Sequence, residues 1–283
     1  LPPVTSTFSI RFTRKTMMTG HELSPAALIP EHDRQRLLEC KHHAPHDFYG
    51  RHAVAGNTVV RTRLLGATDV QLLIHNDAVQ MHHTGDDIWI AELEGEHASD
   101  YRLKVTYPDA EPQIIADPYF FLPTVGSLDL HLIAEGRHER LWEVLGANVH
   151  TYTTDLGQVT GTAFAVWAPN AKGVAVVGDF CNWNPNQYPM RTLGSTGVWE
   201  IFIPGIAPGA HYKFAVQTSE GYRVDKADPL AKATLAPPET VSVVADTTAY
   251  EWRDAEWMQH RQGMDPANSP MNVYECNIGS RKQ

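Results

Sequence analysis

The stretch GDFCNWNP, residues 178–185, places a large aromatic ring among turn-forming residues. Trp183 lies between Asn182 and Asn184 and precedes Pro185, and these residue types favour turns. We therefore predict a loop with a partly exposed indole. Such a ring offers a flat apolar face with little rotamer entropy to lose, which suits the CH face of a pyranose. The residues alone leave open the alternative that the indole folds back on Pro185 and covers the sheet edge.

Two further side chains could act on the same side as Trp183. Lys213 follows the PGAHY turn at the start of a predicted strand, and Tyr222 follows the short SEG loop. An ammonium group donates hydrogen bonds to sugar hydroxyls, and a second aromatic ring extends the apolar platform. These three residues form the candidate carbohydrate site.

The other motifs predict neither a metal nor a cofactor. His138-Glu139 lacks the second histidine of a zinc-protease motif, since Trp142 stands at that position. Neighbouring residues on a strand face opposite sides, so the pairs at 42–43 and 82–83 do not form a natural chelate. The chain has no GxxxxGK[ST] or GxGxxG phosphate loop. The scattered carboxylates are expected to be turn formers and surface charges; they are Asp155, Asp179, Glu200 and Asp225.

Composition limits the class of partner. A chain of 283 residues predicts about two domains, and a formal charge of −10 argues against nucleic acid. Three widely spaced cysteines suggest neither a zinc knuckle nor a disulfide framework, which favours a reducing, cytoplasmic compartment. No apolar stretch is long enough to span a membrane.

Short strands recur along most of the chain. VVRTRLLG, DVQLLIH, IWIAELEG and YRLKVTY are rich in β-branched and aromatic residues, and Gly, Asp and Asn clusters separate them. GTAFAVWAP, GVAVVGD, VWEIFIPG and YKFAVQT follow in the same order. Trp89 matches Trp199, Tyr101 matches Tyr212, and the Asp-Pro pair at 117–118 matches the pair at 228–229. The pattern predicts a mainly β protein with two tandem immunoglobulin-like sandwiches.

The remaining segments complete the predicted domain organisation. Apolar spacing predicts helical structure within residues 126–147 and a second short helix near residues 31–41. We expect a partly disordered leader at 1–41, a first sandwich at 42–122, a helical linker at 123–148, a second sandwich at 149–247 and a final segment at 248–283.

Several ordered motifs resemble a known family. FAVWAPNAKGVAVVGDFCNWNPNQYPM, GVWEIFIPGIAPGAHYKFAV and DKADPLA resemble the carbohydrate-binding module that precedes the catalytic barrel in glucan branching and debranching enzymes. PHDFYGRH, LDLHLIAEGRHERLWEVLGA, YEWRDAEWM and SPMNVYECNIGS resemble the bacterial 1,4-α-glucan branching enzymes with two N-terminal sandwiches. The resemblance implies that Trp183, Lys213 and Tyr222 lie close to glucan-contacting positions.

The same resemblance implies what the chain does not contain. In the family, the strand that resembles MNVYECNIGS opens a (β/α)8 barrel, and the catalytic carboxylates lie on later strands, so no catalytic residue can be assigned here. We expect an orphan first strand of a truncated barrel, and exposed apolar residues in the tail that favour self-association. The expected function is that of the N-terminal part of a glycogen branching enzyme, which binds glycogen or amylose-like chains without catalysis. The alternative is a stand-alone α-glucan-binding or docking module.

Overall fold

The computed structural model describes residues 23–74, 77–247, 250–265 and 267–276. It is mainly β, as the sequence predicts, with antiparallel sheets and short helices. The chain divides into two compact units, residues 1–246 and 247–283, and the first contains both predicted sandwiches. Residues 1–22 of the predicted leader lie outside the described residues.

The first sandwich contains eight strands: β1 Gly50–Val54, β2 Asn57–Arg63, β3 Asp69–Ile74, β4 Asp77–Gln80, β5 His82–His83, β6 Ile88–Leu93, β7 Tyr101–Thr106 and β8 Gln113–Ile115. They form two four-stranded sheets, in the orders β1-β2-β6-β5 and β4-β3-β7-β8. The inner face is lined by alternating apolar side chains such as Val70, Leu72, Leu103 and Val105, which are all buried.

The second sandwich also contains two antiparallel sheets. Its strands are β9 Gly146–Thr154, β10 Gly157–Trp167, β11 Gly173–Gly178, β12 Arg191–Thr192, β13 Val198–Pro204, β14 His211–Gln217, β15 Arg223–Lys226, β16 Ala233–Thr234 and β17 Ser242–Val243. One sheet has the order β9-β10-β13-β12; in the other, β11 pairs with β14, which also pairs with β15 and with the β17-β16 extension.

A tyrosine–aspartate pair occupies the same place in both sandwiches. The Tyr101 hydroxyl donates to Asp117 Oδ2 at 2.8 Å, and the Tyr212 hydroxyl donates to Asp228 Oδ2 at 2.5 Å. Each aspartate also accepts the backbone N–H two residues later, which fixes the Asp-Pro turn. The matched residues predicted from the sequence therefore make the same contacts in both sandwiches.

The segment before the first sandwich packs into the core. Helix α1, Glu31–Leu38, begins after Pro30, and its Leu37 is fully buried together with Ala27. These side chains belong to a single apolar cluster that also includes Val59 of the first sandwich and Phe164 of the second. The two sandwiches therefore share one continuous core through this segment.

The linker contains helix α2, Ser127–Ala134, and covers the outer face of the sheet that contains β10. Glu200 of β13 is fully buried there and forms an ion pair with Arg191 at 2.8 Å. Its second oxygen accepts the backbone N–H of Thr124. The expectation that Glu200 is a surface charge is thus wrong, because the linker covers it.

The second unit contains helix α3, Ala255–Gln262. Residues 271–276 have no regular secondary structure, and the last residues of the predicted orphan strand lie outside the described residues. Trp252, Val273 and other apolar side chains of this unit are exposed. No helix in the described part of the chain is long and apolar enough to cross a membrane.

Candidate functional site

Trp183 lies in the turn that follows β11. A short 3-10 turn, Asp179–Cys181, comes first, and Asn182 and Trp183 then both adopt left-handed backbone conformations, with φ of 49° and 57°. This conformation is uncommon for a bulky residue and costs free energy. Backbone hydrogen bonds enforce it, since Trp183 N–H donates to Gly178 O and Asn184 N–H donates to Cys181 O, both at 2.9 Å.

The start of the turn is tied to the neighbouring strand. A Cβ at Gly178 would lie 2.3 Å from His211 O, so only glycine fits where β11 meets β14. The Asp179 carboxylate accepts the His211 N–H at 3.1 Å. The strained turn leaves the Trp183 side chain 40% exposed, which confirms the predicted loop position.

Lys213 lies close to this turn along the sheet. It pairs with Val177 across β11 and β14, one position from the Gly178–Tyr212 pair. Tyr212 and Phe214 belong to the inner core, so the alternation of β14 places Lys213, Ala215 and Gln217 on the outer face. The Lys213 ammonium donates to Thr240 Oγ1 at 2.9 Å. Trp183 and Lys213 therefore share one end of the sheet.

Tyr222 lies at the other end of β14, in the turn that leads to β15. Its carbonyl accepts the Thr218 N–H, and its side chain is 55% exposed. Gln217, which pairs with Arg223, is four residues from Lys213, or roughly 13 Å along the strand. The structure places Tyr222 beside the same hairpin as Lys213, at this distance along it.

A pocket of about 300 Å³ joins the two loops. Pro185 and Asn186 come from the loop after Trp183, Gly221 and Arg223 flank Tyr222, and Gln217 forms part of the floor. Amide and guanidinium groups in this lining can bond sugar hydroxyls. Each of the three predicted residues lies within two positions of a lining residue in the sequence, although none of them lines the pocket.

Glu39 and Cys40 also line this pocket, and the sequence analysis missed them. Gly173 allows the contact, because a Cβ there would lie 1.8 Å from Cys40 O. Cys40 Sγ donates to Pro185 O at 3.0 Å, and burial raises the pKa of this thiol to about 11. The thiol is therefore a protonated hydrogen-bond donor that supports the loop, rather than a nucleophile. No local motif in the sequence signals this long-range contact.

The described residues contain no group of three His, Cys, Asp or Glu side chains close enough to hold a metal ion. The described surface around Trp183 instead combines an exposed ring, an ammonium group and amide donors.

Comparison with known proteins assigns both sandwiches. Residues 30–119 match the family model of the N-terminal domain of the α-1,4-glucan branching enzyme GlgB. Residues 144–231 match carbohydrate-binding module 48, the isoamylase N-terminal domain. The chain corresponds to the N-terminal portion of a GlgB-type branching enzyme. The resemblance stated from the sequence motifs is confirmed, and the second sandwich is the carbohydrate-binding module.

Relatives extend this similarity to most of the chain. The 1,4-alpha-glucan branching enzyme GlgB of Corynebacterium efficiens is 56% identical over 253 residues, which cover 89% of this chain and 34% of that protein. The enzyme of the same name from Rhodococcus jostii is 49% identical over 257 residues, which cover 90% of this chain and 35% of that protein. The chain thus spans about a third of the length of the curated relatives it matches.

A solved structure shows a weaker similarity. The pullulanase from Bacillus acidopullulyticus aligns with 64% of this chain and 20% of that one, at 19% identity and a TM-score of 0.33. A score this low assigns no function.

Proposed function

We propose that the module binds α-glucan on the outer face of β11, β14 and β15, with Trp183, Lys213 and Tyr222 as the contacting side chains. The observation that carries the proposal is the backbone of Trp183. A bulky residue held at positive φ, with its ring partly exposed, is strain of the kind that functional sites retain.

The surroundings of Trp183 suit a chain of pyranose rings. The indole would stack on the CH face of one ring, while Lys213 would donate to hydroxyls. The pocket beside them adds donors from Asn186, Gln217 and Arg223, so a second ring would lie toward Tyr222. Several neighbouring subsites favour a polymer such as glycogen or amylose over a single sugar.

For the whole protein we propose the activity named for its relatives, the branching of 1,4-α-glucan in glycogen synthesis, in the cytoplasm. A retaining transfer of this kind needs two carboxylates about 5 Å apart at the scissile bond. We assign this chain the binding step alone. A purified preparation should leave the iodine spectrum of amylose unchanged, and a spectral shift would contradict this assignment.

The binding proposal is tested by retention of the full chain on a glycogen gel. Trp183→Ala should weaken retention roughly tenfold, because the stacked ring is lost. Trp167→Ala is the matched control, since Trp167 is also exposed but ends β10 in the opposite sheet. Unchanged retention of Trp183→Ala, or an equal loss in the control, would dismiss the site.

Self-association through the tail is a separate proposal. Trp252 and Val273 are 77% and 86% exposed, and exposed apolar groups of this size favour association. Light scattering should show a larger mass that falls in a Trp252→Ser, Val273→Ser variant. A monomeric wild-type chain at micromolar concentration would exclude it.

A further inference from the structure

A second and larger cavity lies between the two sandwiches. Its volume is about 960 Å³, within the range of small-molecule sites. The first sandwich contributes the ends of β2 and β7 together with β8, and the second contributes residues 156–160, 187–188 and 203–205. We call this cavity the interdomain cleft. It is distinct from the glucan-binding face, because the two share no lining residue.

The charge of the interdomain cleft is opposite to that of the chain. Arg63 and Arg102 line it, and none of the described lining residues is a carboxylate. The chain as a whole carries a formal charge of −10. Asp100, which lies outside the lining, is an acidic neighbour of Arg102, but the lining itself has two cations and no carboxylate, which favours a negatively charged group there.

Both guanidinium groups are bonded only to neutral acceptors. Arg63 donates to Asn186 O at 2.8 Å and to Asp86 O at 3.1 Å, while the Asp86 carboxylate pairs with Arg34. Arg102 donates to Tyr101 O at 2.8 Å and to Thr154 Oγ1 at 3.0 Å. Among the described residues neither arginine has an ion pair. Each guanidinium has five N–H donors, so both retain unused donors.

The rest of the lining suits a sugar ring. Tyr107 and Tyr188 contribute half-buried aromatic rings, and Gln158 and Gln187 contribute amide groups. Tyr119 also lines the cleft and is only 7% exposed.

We propose that the interdomain cleft binds a sugar phosphate, with Arg63 and Arg102 as the anion-binding side chains and the tyrosines against the pyranose. Guanidinium groups match the geometry of phosphate oxygens. The arginines alone support the phosphate group of this ligand, whereas its sugar rests on the proposed glucan function. Both arginines also donate hydrogen bonds to residues of the second sandwich, so a bound ligand would contact both domains.

The test is calorimetric titration of the full chain with glucose 6-phosphate, glucose, maltotriose and inorganic phosphate. We expect glucose 6-phosphate to bind at least tenfold more tightly than the other three. The Arg63→Gln, Arg102→Gln double variant should weaken it by about tenfold or more, the loss of charge-assisted hydrogen bonds. Absence of glucose 6-phosphate binding, or equal binding of glucose or maltotriose, would overturn the proposal. Equal binding of inorganic phosphate would overturn its sugar half.

Controls separate this site from the glucan-binding face and from misfolding. Arg51→Gln removes another guanidinium of the first sandwich that does not line the cleft, and it should leave binding unchanged. The double variant should keep its retention on glycogen, which shows that the module is folded. Trp183→Ala should keep glucose 6-phosphate binding; loss there would place the ligand on the glucan-binding face and overturn the cleft.

The last experiment asks whether the bound phosphate ester belongs to a polymer or to a free sugar. Stronger retention on phosphorylated than on phosphate-free amylopectin, lost in the double variant, would assign the ester to the polymer. Equal retention on both, together with tight glucose 6-phosphate binding, would assign it to a free sugar phosphate.

Discussion

The two sandwiches share most of their strand order, and the loop that follows β11 differs from its counterpart in the first sandwich. The order β1-β2-β6-β5 corresponds to β9-β10-β13-β12, and β3 with β7 corresponds to β11 with β14. In the first sandwich β3 ends at Ile74 and β4 begins at Asp77. In the second, the chain returns to β11 only at the bridge between Ala175 and Pro189, after the turn that carries Trp183. The loop that carries Trp183 is therefore longer than the corresponding connection in the first sandwich.

Side chains at equivalent positions of the two sandwiches also make different contacts. Lys213 follows Tyr212 as Arg102 follows Tyr101. Lys213 lies on the outer face beside Trp183 and bonds Thr240, whereas Arg102 reaches Thr154 of the other sandwich. The same strand position thus lies at the candidate site in one copy and contacts the neighbouring sandwich in the other. Mutations at matched positions can therefore distinguish residues that stabilise the sandwiches from residues that bind glucan.

The largest effect should come from the glycine that begins each repeat. Gly50 and Gly146 both have φ of 88°, and a Cβ would lie 2.5 Å from Tyr119 O in the first case and 3.0 Å from Leu230 O in the second. Gly50→Ala should lower the free energy of unfolding by roughly 4 kcal/mol, from backbone strain plus overpacking. Gly146→Ala should cost about 2 kcal/mol, since its contact is looser. Urea denaturation measures both, and equal losses would contradict the ranking.

The buried aspartates should show a matched pH dependence. Burial raises the pKa of Asp117 to about 6, above its usual 3.8, and also raises the pKa of Asp228. Their contribution to stability is therefore fully present below pH 3.8 and is lost as the pH rises through the folded-state pKa. Asp117→Asn should destabilise the chain more at pH 4 than at pH 7, by on the order of 3 kcal/mol.

Urea denaturation of the wild-type chain and the variant at each pH measures this difference. Titrating groups that both proteins share contribute equally to the two free energies of unfolding and cancel. Asp228→Asn should show the same sign in the second sandwich. A destabilisation by Asp117→Asn that stays constant with pH, or increases toward pH 7, would show that the carboxyl is not protonated on folding.

The repeat was predictable from the sequence because its signals are local. Short β-branched runs, turn residues and the matched pairs Tyr101–Tyr212 and Asp117–Asp228 identify two sandwiches without any tertiary information. The contacts of Glu39 and Cys40 with the pocket were not predictable, since they join residues more than 130 positions apart. Burial of Glu200 was missed for the same reason: it depends on where the linker lies.

Glucan retention should distinguish the matched basic residues. Lys213→Met should weaken retention on glycogen roughly tenfold, because a charged donor to the sugar is lost. Arg102→Met should leave retention unchanged, since Arg102 bonds Thr154 in the interdomain cleft. Both variants are measured on the same gel, with thermal unfolding as the check on folding. Equal losses would mean that glucan binding does not depend on the outer face of β11, β14 and β15.

The smallest effect isolates the strain at Trp183, and it requires two variants rather than one. Trp183→Ala and Trp183→Gly both remove the ring, so both should lose glucan retention to the same extent. They differ in the backbone, because glycine adopts a φ of 57° without the steric cost that alanine retains. Left-handed strain favours the glycine variant by roughly 1–2 kcal/mol, and the greater chain entropy of unfolded glycine offsets about 0.4–1 kcal/mol of this, so the glycine variant should be the more stable by roughly 0.5–1 kcal/mol. Urea denaturation measures this difference, and an alanine variant as stable as the glycine variant would show that the turn relaxes once the ring is gone. In that case the indole itself, through its packing, would hold the strained backbone, rather than the hydrogen bonds to Gly178 and Cys181.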